Sequence, residues 1–195
     1  MIMMLGKMTK MTKQHWVISD LHLGHSNVLA FTRSDGSKLR DFQSIEEHDE
    51  TIVDNWNKVV REHDRVYLLG DAVMPAASIP TLGRLNGSIV LVMGNHDHRH
   101  KNKKYEPFIK QFRGSSQWYA GPGRNWIMTH IPVHPMCLSE RFRGNIHGHT
   151  HSNHLTQRWM DENEESYESK DRRYVNVSAE EVGYTPVSVE EITRC

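Results

Sequence analysis

The sequence predicts an α/β fold, a layered β-sandwich flanked by helices. Three observations carry that expectation. Short apolar, β-branched runs recur along the chain and each ends in polar residues; one strongly amphipathic helical stretch separates the first two runs; and the second half is dominated by further strand-like runs.

The runs are HWVISD at 15–20, RVYLLGD at 65–71, SIVLVMGNHD at 88–97, NWIMTH at 125–130, GNIHGHTH at 144–151 and YVNVSAE at 174–180. Their unbroken apolarity suits strands buried on both faces rather than an alternating, half-wet sheet. Between the first two, Ser44 and Glu47 form a capping box, and Ile45, Ile52, Val53, Trp56, Val59 and Val60 recur at helical spacing. A second helix is expected within 76–86, stopping at the turn residues Asn86 and Gly87, and a third over 104–112, KYEPFIKQF. The polar, mixed-charge stretch 156–173 reads as a solvated insert or loop.

A chain of 195 residues suits one domain. We read 1–13 as a flexible N-terminal extension and 14–195 as the domain. Lys+Arg and Asp+Glu are equal at 24 each, so no global field draws the chain to nucleic acid or an anionic membrane. A nucleic-acid partner has no positive support. Cys137 and Cys195 form neither a disulfide framework nor a paired zinc motif, which fits a cytoplasmic protein, and no run approaches membrane-span length.

Potential ligands stand at almost every strand end: Asp20 with His22, Asp71, Asn95 with His96 and Asp97, His130, and His149 with His151. Carboxylate, imidazole and amide oxygen, with no cysteine, suit divalent manganese, iron, cobalt, nickel or zinc. The set exceeds what one ion needs and suffices for two ions that share a carboxylate.

These residues fall in a specific order: DLH at 20–22, GD at 70–71, GNHD at 94–97, TH at 129–130 and GHTH at 148–151. In that order the chain resembles the calcineurin-like metallophosphoesterases, and GHSN at 24–27, Asn55–Trp56 and Leu85–Asn86–Gly87 resemble a small bacterial and phage-type branch of them. The resemblance implies two divalent ions, manganese favoured. Asp20, His22 and His151 would hold one, Asn95, His130 and His149 the other, and Asp71 would bridge them. His96 would be the metal-free catalytic imidazole, with Asp97 fixing its orientation. The implied mechanism is attack on a phosphoester by a metal-bridged hydroxide. His25 and Arg99 are candidates for substrate contact.

Protein phosphatases of the superfamily read GDxVDRG and RGNHE, whereas this chain reads GDAVMPA and MGNHD. Met74, Pro75 and Met93 replace the Asp and Arg residues of that pattern, which removes bidentate phosphate capture there. A phosphodiester carries less charge than a monoester and needs fewer such contacts. The expected activity is therefore hydrolysis of a small diester, such as a nucleotide. The alternatives are a phosphomonoesterase or nucleotide pyrophosphatase on the same site, or a catalytically silent metal-binding scaffold. The sequence also leaves room for a homodimer.

Overall fold

Two sheets face one another across an apolar layer in the computed structural model, which describes residues 12–97, 102–138, 141–160, 162 and 165–194. The first has the order β11-β1-β2-β3-β4, and the second β10-β7-β6-β5. In the first, β1 (His15–Ile18), β2 (Arg65–Leu68), β3 (Ser88–Val92) and β4 (Ile109–Arg113) run parallel, and β11 (Val187–Ser188) is antiparallel to β1. In the second, β6 (Asn125–Met128), β7 (Gly144–His147) and β10 (Tyr174–Asn176) are parallel, and β5 (Ser116–Tyr119) is antiparallel to β6.

The period of two along each strand explains the double burial. Val17, Tyr67, Val90 and Val92 point between the sheets and meet Trp126, Met128, Ile146 and Val177. Their neighbours Ile18, Val66, Leu68, Ile89 and Leu91 point the other way, against Ile52, Val53 and Trp56 of helix α1 (Ile45–Val59). Each such side chain removed from water contributes about 1.5–3 kcal/mol before chain entropy is set against it.

The α1 prediction agrees with the structure to its cap. Ser44 Oγ accepts from the Glu47 amide at 3.1 Å, and Glu47 Oε2 accepts from the Gln43 amide at 2.7 Å. The Trp56 indole N–H donates to the Asn86 carbonyl at 2.9 Å, while the Asn86 side chain donates to the Val60 carbonyl at 3.2 Å. The motif pair Asn55–Trp56 and Leu85–Asn86–Gly87 is thus one joint, which fixes the end of α1 against the start of β3.

One expectation is refined and two need correction. Residues Ala76–Arg84 do form a helix inside the expected 76–86 span, of the 3-10 type, with Pro80 inside it removing an amide donor. The helix expected over 104–112 is absent: a 3-10 turn at Asn102–Lys104 leads into strand β4. Pro107 disfavours a helical Glu106, and the open edge of β3 offers 109–113 a ladder. The stretch 156–173 is largely a hairpin, β8 (Thr156–Met160) paired antiparallel with β9 (Ser166–Lys170) in a separate two-stranded sheet. Its alternation of polar and large residues, with Trp159 and Tyr167 opposite one another, is a weak strand signal hidden by charge. A four-residue helix, α2 (Val189–Ile192), closes the described chain.

Because β1, β2 and β3 are parallel, their C-terminal ends share one edge, as do those of β6, β7 and β10. One backbone bond joins the two edges, Ser19 N–H donating to Val177 O at 2.9 Å, while Gly148 N–H to His130 O at 3.0 Å and Val177 N–H to His147 O at 2.8 Å tie the ends of the second sheet's strands to one another.

Candidate metal centre

The joined edge is where the ligand-bearing loops meet, and the backbone there is unusual. Asp20, His22, Asp71, His149 and His151 all have positive φ, between 50° and 68°. Asp and His tolerate this left-handed region better than most residues, yet it costs of order 1–3 kcal/mol each and is held only where surrounding structure over-determines it. The reversal ends each strand and turns the next side chains inward. Alternate residues of GHTH thereby project His149 and His151 to different places from one loop.

One group comprises Asp20, His22 and His151, whose ligand atoms lie within 4.8 Å of one another. Asp20 Oδ2 is occupied by the His149 amide at 2.9 Å and the Ser178 hydroxyl at 3.2 Å. Its Oδ1 is buried without a hydrogen-bond partner, as are both ring nitrogens of His22. His22 Nε2 lies 3.8 Å from Asp20 Oδ1 and 3.9 Å from Asp71 Oδ2. Three orphaned polar atoms in a buried pocket are expensive unless a cation satisfies them.

The second group is defined by lone pairs. His130 donates its Nδ1–H to the Leu69 carbonyl at 2.8 Å, which turns Nε2 inward. Facing it are Asn95 Oδ1 at 2.8 Å, His149 Nδ1 at 3.2 Å and Asp71 Oδ2 at 3.5 Å. Four electron-pair donors at this separation need a cation, or a shared proton, between them. Asp71 Oδ1 accepts from the His96 amide at 3.0 Å, leaving Oδ2 to both groups. Ligand atoms of Asp20, Asp71 and His130 also lie within 4.8 Å of one another, so the two groups adjoin.

The electrostatics fit a cation pair. Burial, then the Arg40 charge and the neighbouring rings, lowers the His22 pKa well below its ordinary value. Burial and His130 lower that of His149, so both rings present lone pairs. Burial raises the Asp71 carboxyl, with Asp20 and Asp97 adding to the effect against the opposing pull of His130. Bound cations would reverse that penalty. His151 differs: burial would lower it, but its bond to Glu180 outweighs burial and raises it.

His96 is part of the rim, its side chain 32% exposed, with Nε2 4.0 Å from Asp71 Oδ2. Asp97 does not orient it. The Asp97 carboxylate accepts from the amides of Asp71 at 2.9 Å, Gly94 at 2.8 Å and Ala72 at 3.1 Å, while His96 Nδ1 has no hydrogen-bond partner. Its acceptor sites are directed at two loops, GDA and GNH, which it clamps together. The His25 ring is 5.5 Å from that of His22 and edge-on to Phe31. Arg99 lies outside the described residues. His147 is buried within β7 and bonded to the Gly148 carbonyl, outside both ligand groups.

Sequence reasoning missed Arg40 and Glu180. Burial would raise the Glu180 carboxyl, but the His151 bond and the Arg40 charge hold it at about 2. Its position at the end of the β10 run was the available signal; Arg40 had none.

The fold and the two ligand groups define a metal-dependent phosphoester hydrolase scaffold, a sheet sandwich with Asp and His ligands at the joined strand ends. Residues 15–170 match the family model of the calcineurin-like phosphoesterases, and the chain belongs to that family. It is 33% identical over 184 residues to an uncharacterized protein of Methanocaldococcus jannaschii, covering 92% of this chain and 89% of the relative. It is 30% identical over 166 residues to the gene 66 protein of Mycobacterium phage L5, covering 70% and 77%. The crystal structure of a protein of unknown function from Aquifex aeolicus has the same fold, with a TM-score of 0.65 at 22% identity, covering 93% of this chain and 98% of the other. Family membership brings metal-dependent phosphoester hydrolysis with divalent ions. No helix among the described residues is long and apolar enough to cross a membrane.

Proposed function

We propose that the chain is a cytoplasmic phosphodiesterase acting on a nucleotide or another small diester. The observation that carries this reading is the recess beside the second ligand group, about 310 Å³, lined by Met93, Gly94, Asn95, Gly114, Thr129, His130 and Ile131. Among the described residues no lysine or arginine lines it, so it suits an uncharged substituent of a diester better than the extra charge of a monoester. Arg124 and Arg143 precede β6 and β7, at the ends opposite the ligands, and so support no phosphate contact.

In this reading Asp20, His22, His151 and Asp71 hold one divalent ion, and Asn95, His130, His149 and Asp71 the other, with manganese favoured. When bound, the ions supply Lewis-acid charge and activate water for attack at phosphorus. The chain's own residues do the rest. Asp71 keeps the two positions adjacent, His96 delivers a proton to the leaving oxygen through Nε2, Asp97 holds the GDA and GNH loops in register, and His25 contacts the substrate at the mouth.

The test is hydrolysis of matched nitrophenyl phosphodiester and monoester substrates by chelator-stripped protein, with Mn²⁺, Ni²⁺ or Zn²⁺ added back separately. Diester turnover that returns only with metal is expected. Preferential monoester turnover would favour the phosphomonoesterase reading, and none with two ions bound would favour a scaffold.

A further inference from the structure

Behind His151 stands a buried ion pair outside the ligand set. Arg40 and Glu180 have side-chain exposures of 0% and 1%. Every N–H of the guanidinium is used. Nε and Nη2 donate to Glu180 Oε2 at 3.1 and 2.7 Å; Nη2 also reaches the Asp20 carbonyl at 2.5 Å; and Nη1 reaches the Leu21 carbonyl at 3.1 Å and His48 Nε2 at 2.9 Å. His48 therefore accepts at Nε2, donates its Nδ1–H to Asp49 Oδ1 at 2.8 Å, and Asp49 Oδ2 takes the Gly24 amide at 2.8 Å. One arginine thus ties the DLH loop, the first turns of α1 and the segment after β10 together.

The other carboxylate oxygen, Glu180 Oε1, accepts from His151 Nδ1–H at 2.6 Å. In the neutral ring, the form able to hold a metal, that bond fixes the tautomer and leaves the Nε2 lone pair for the group with Asp20 and His22. His130 is fixed in the equivalent way, but by a neutral carbonyl, Leu69 O. An anion behind an imidazole makes the ring a stronger donor than a carbonyl does. The Asp20–His22–His151 group also has a carboxylate of its own, whereas Asn95, His130 and His149 share only Asp71.

We propose that Glu180, locked in place by Arg40, is a positioning residue that makes the Asp20–His22–His151 position the tighter of two unequal metal positions, so that the centre fills in a fixed order. This rests on the two-ion reading above, and its test reads metal binding, so failure of the substrate assignment leaves it standing.

The probe is Mn²⁺, added to chelator-stripped chain and followed by calorimetry and electron paramagnetic resonance. The first equivalent should bind more tightly and give an isolated-ion spectrum, and the second a spin-coupled one. His149→Ala should retain the tight position and His151→Ala the weak one. Glu180→Gln, similar in size and still able to accept from His151, should weaken Mn²⁺ binding about 10–100-fold in the His149→Ala background and less than about threefold in the His151→Ala background. Equal weakening in both, or none in either, would overturn the proposal. A measurement without variants adds a second arm: nitrogen-15 NMR of the stripped wild-type chain should show a protected, downfield His151 Nδ1 proton. Its absence would remove the tautomer on which the inference depends. Wild-type chain that takes up no Mn²⁺ would overturn both this inference and the two-ion reading.

Discussion

A methyl group added at Gly94 would test the centre's geometry without replacing a ligand. An ideal Cβ there lies 2.6 Å from the Asp71 backbone nitrogen and 3.0 Å from Gly70 Cα, and it also overlaps Asp71 Oδ1. Ordinary contact begins at 3.4 Å, so the Asp71 backbone must retreat by about 0.8 Å. Two of these obstacles are backbone, and no side-chain rotation relieves them. Overpacking of this kind costs about 1–3 kcal/mol. Metal–ligand distances tolerate only about ±0.2 Å, so an Asp71 carboxylate shared between two groups cannot follow such a shift and serve both. A displacement near 1 Å at a reacting centre lowers turnover on the order of 10²-fold. The natural control is Gly114→Ala, in the same recess, where a Cβ meets nothing within 4 Å. Metal content by elemental analysis, diester turnover and thermal denaturation would be measured on both variants. Gly94→Ala should lose at least one ion and most activity, while Gly114→Ala stays near wild type. Two ions and near-normal turnover in folded Gly94→Ala would refute the reasoning.

Other substitutions separate chemistry from architecture. His96→Ala should keep full metal content yet slow diester hydrolysis by about 10²–10⁴-fold; loss of metal instead would make His96 a ligand. Asp97→Ala leaves three buried amide donors without their acceptor, at about 1–3 kcal/mol each, so urea denaturation of the stripped protein should show a large loss of stability. An unchanged midpoint would remove its role as the clamp between loops. Asp64 accepts from the Gln14 and Arg61 amides and the Trp16 indole. Burial would raise its carboxyl, but those bonds outweigh burial and hold it below its ordinary 3.8. A depressed folded pKa stabilises fully above the unfolded value and is lost as pH falls through the folded one. The melting-temperature gap between wild type and Asp64→Asn should therefore be about 2–8 °C at pH 7 and shrink below pH 4; a gap independent of pH would contradict this.

The strands were legible for one physical reason: β1, β2, β3, β6 and β7 are short runs rich in apolar residues, and each leads into a residue of the candidate centre. DLH, GD, GNHD, TH and GHTH therefore marked both the strand ends and the candidate site. Helix α1 was legible through its cap and its period. The error over 104–112 came from weighing Tyr105, Phe108 and Phe112 as a helical face, when Pro107 and the free edge of β3 decided for a strand. The hairpin at 156–170 was obscured because charge runs along both of its strands. Asp97 was misjudged because adjacency to His96 suggested a contact, while its carboxylate bonds to amides as many as 26 residues away. Arg40 and Glu180 are 140 residues apart, and no local pattern announces such a pair.

The account stands or falls on two ions sharing Asp71, and anomalous diffraction from crystals grown with Mn²⁺ tests this most directly. It predicts two anomalous peaks, one among Asp20, His22 and His151 and one among Asn95, His130 and His149, with Asp71 Oδ2 between them. A single peak at saturating Mn²⁺, or two peaks that Asp71 does not touch, would contradict it.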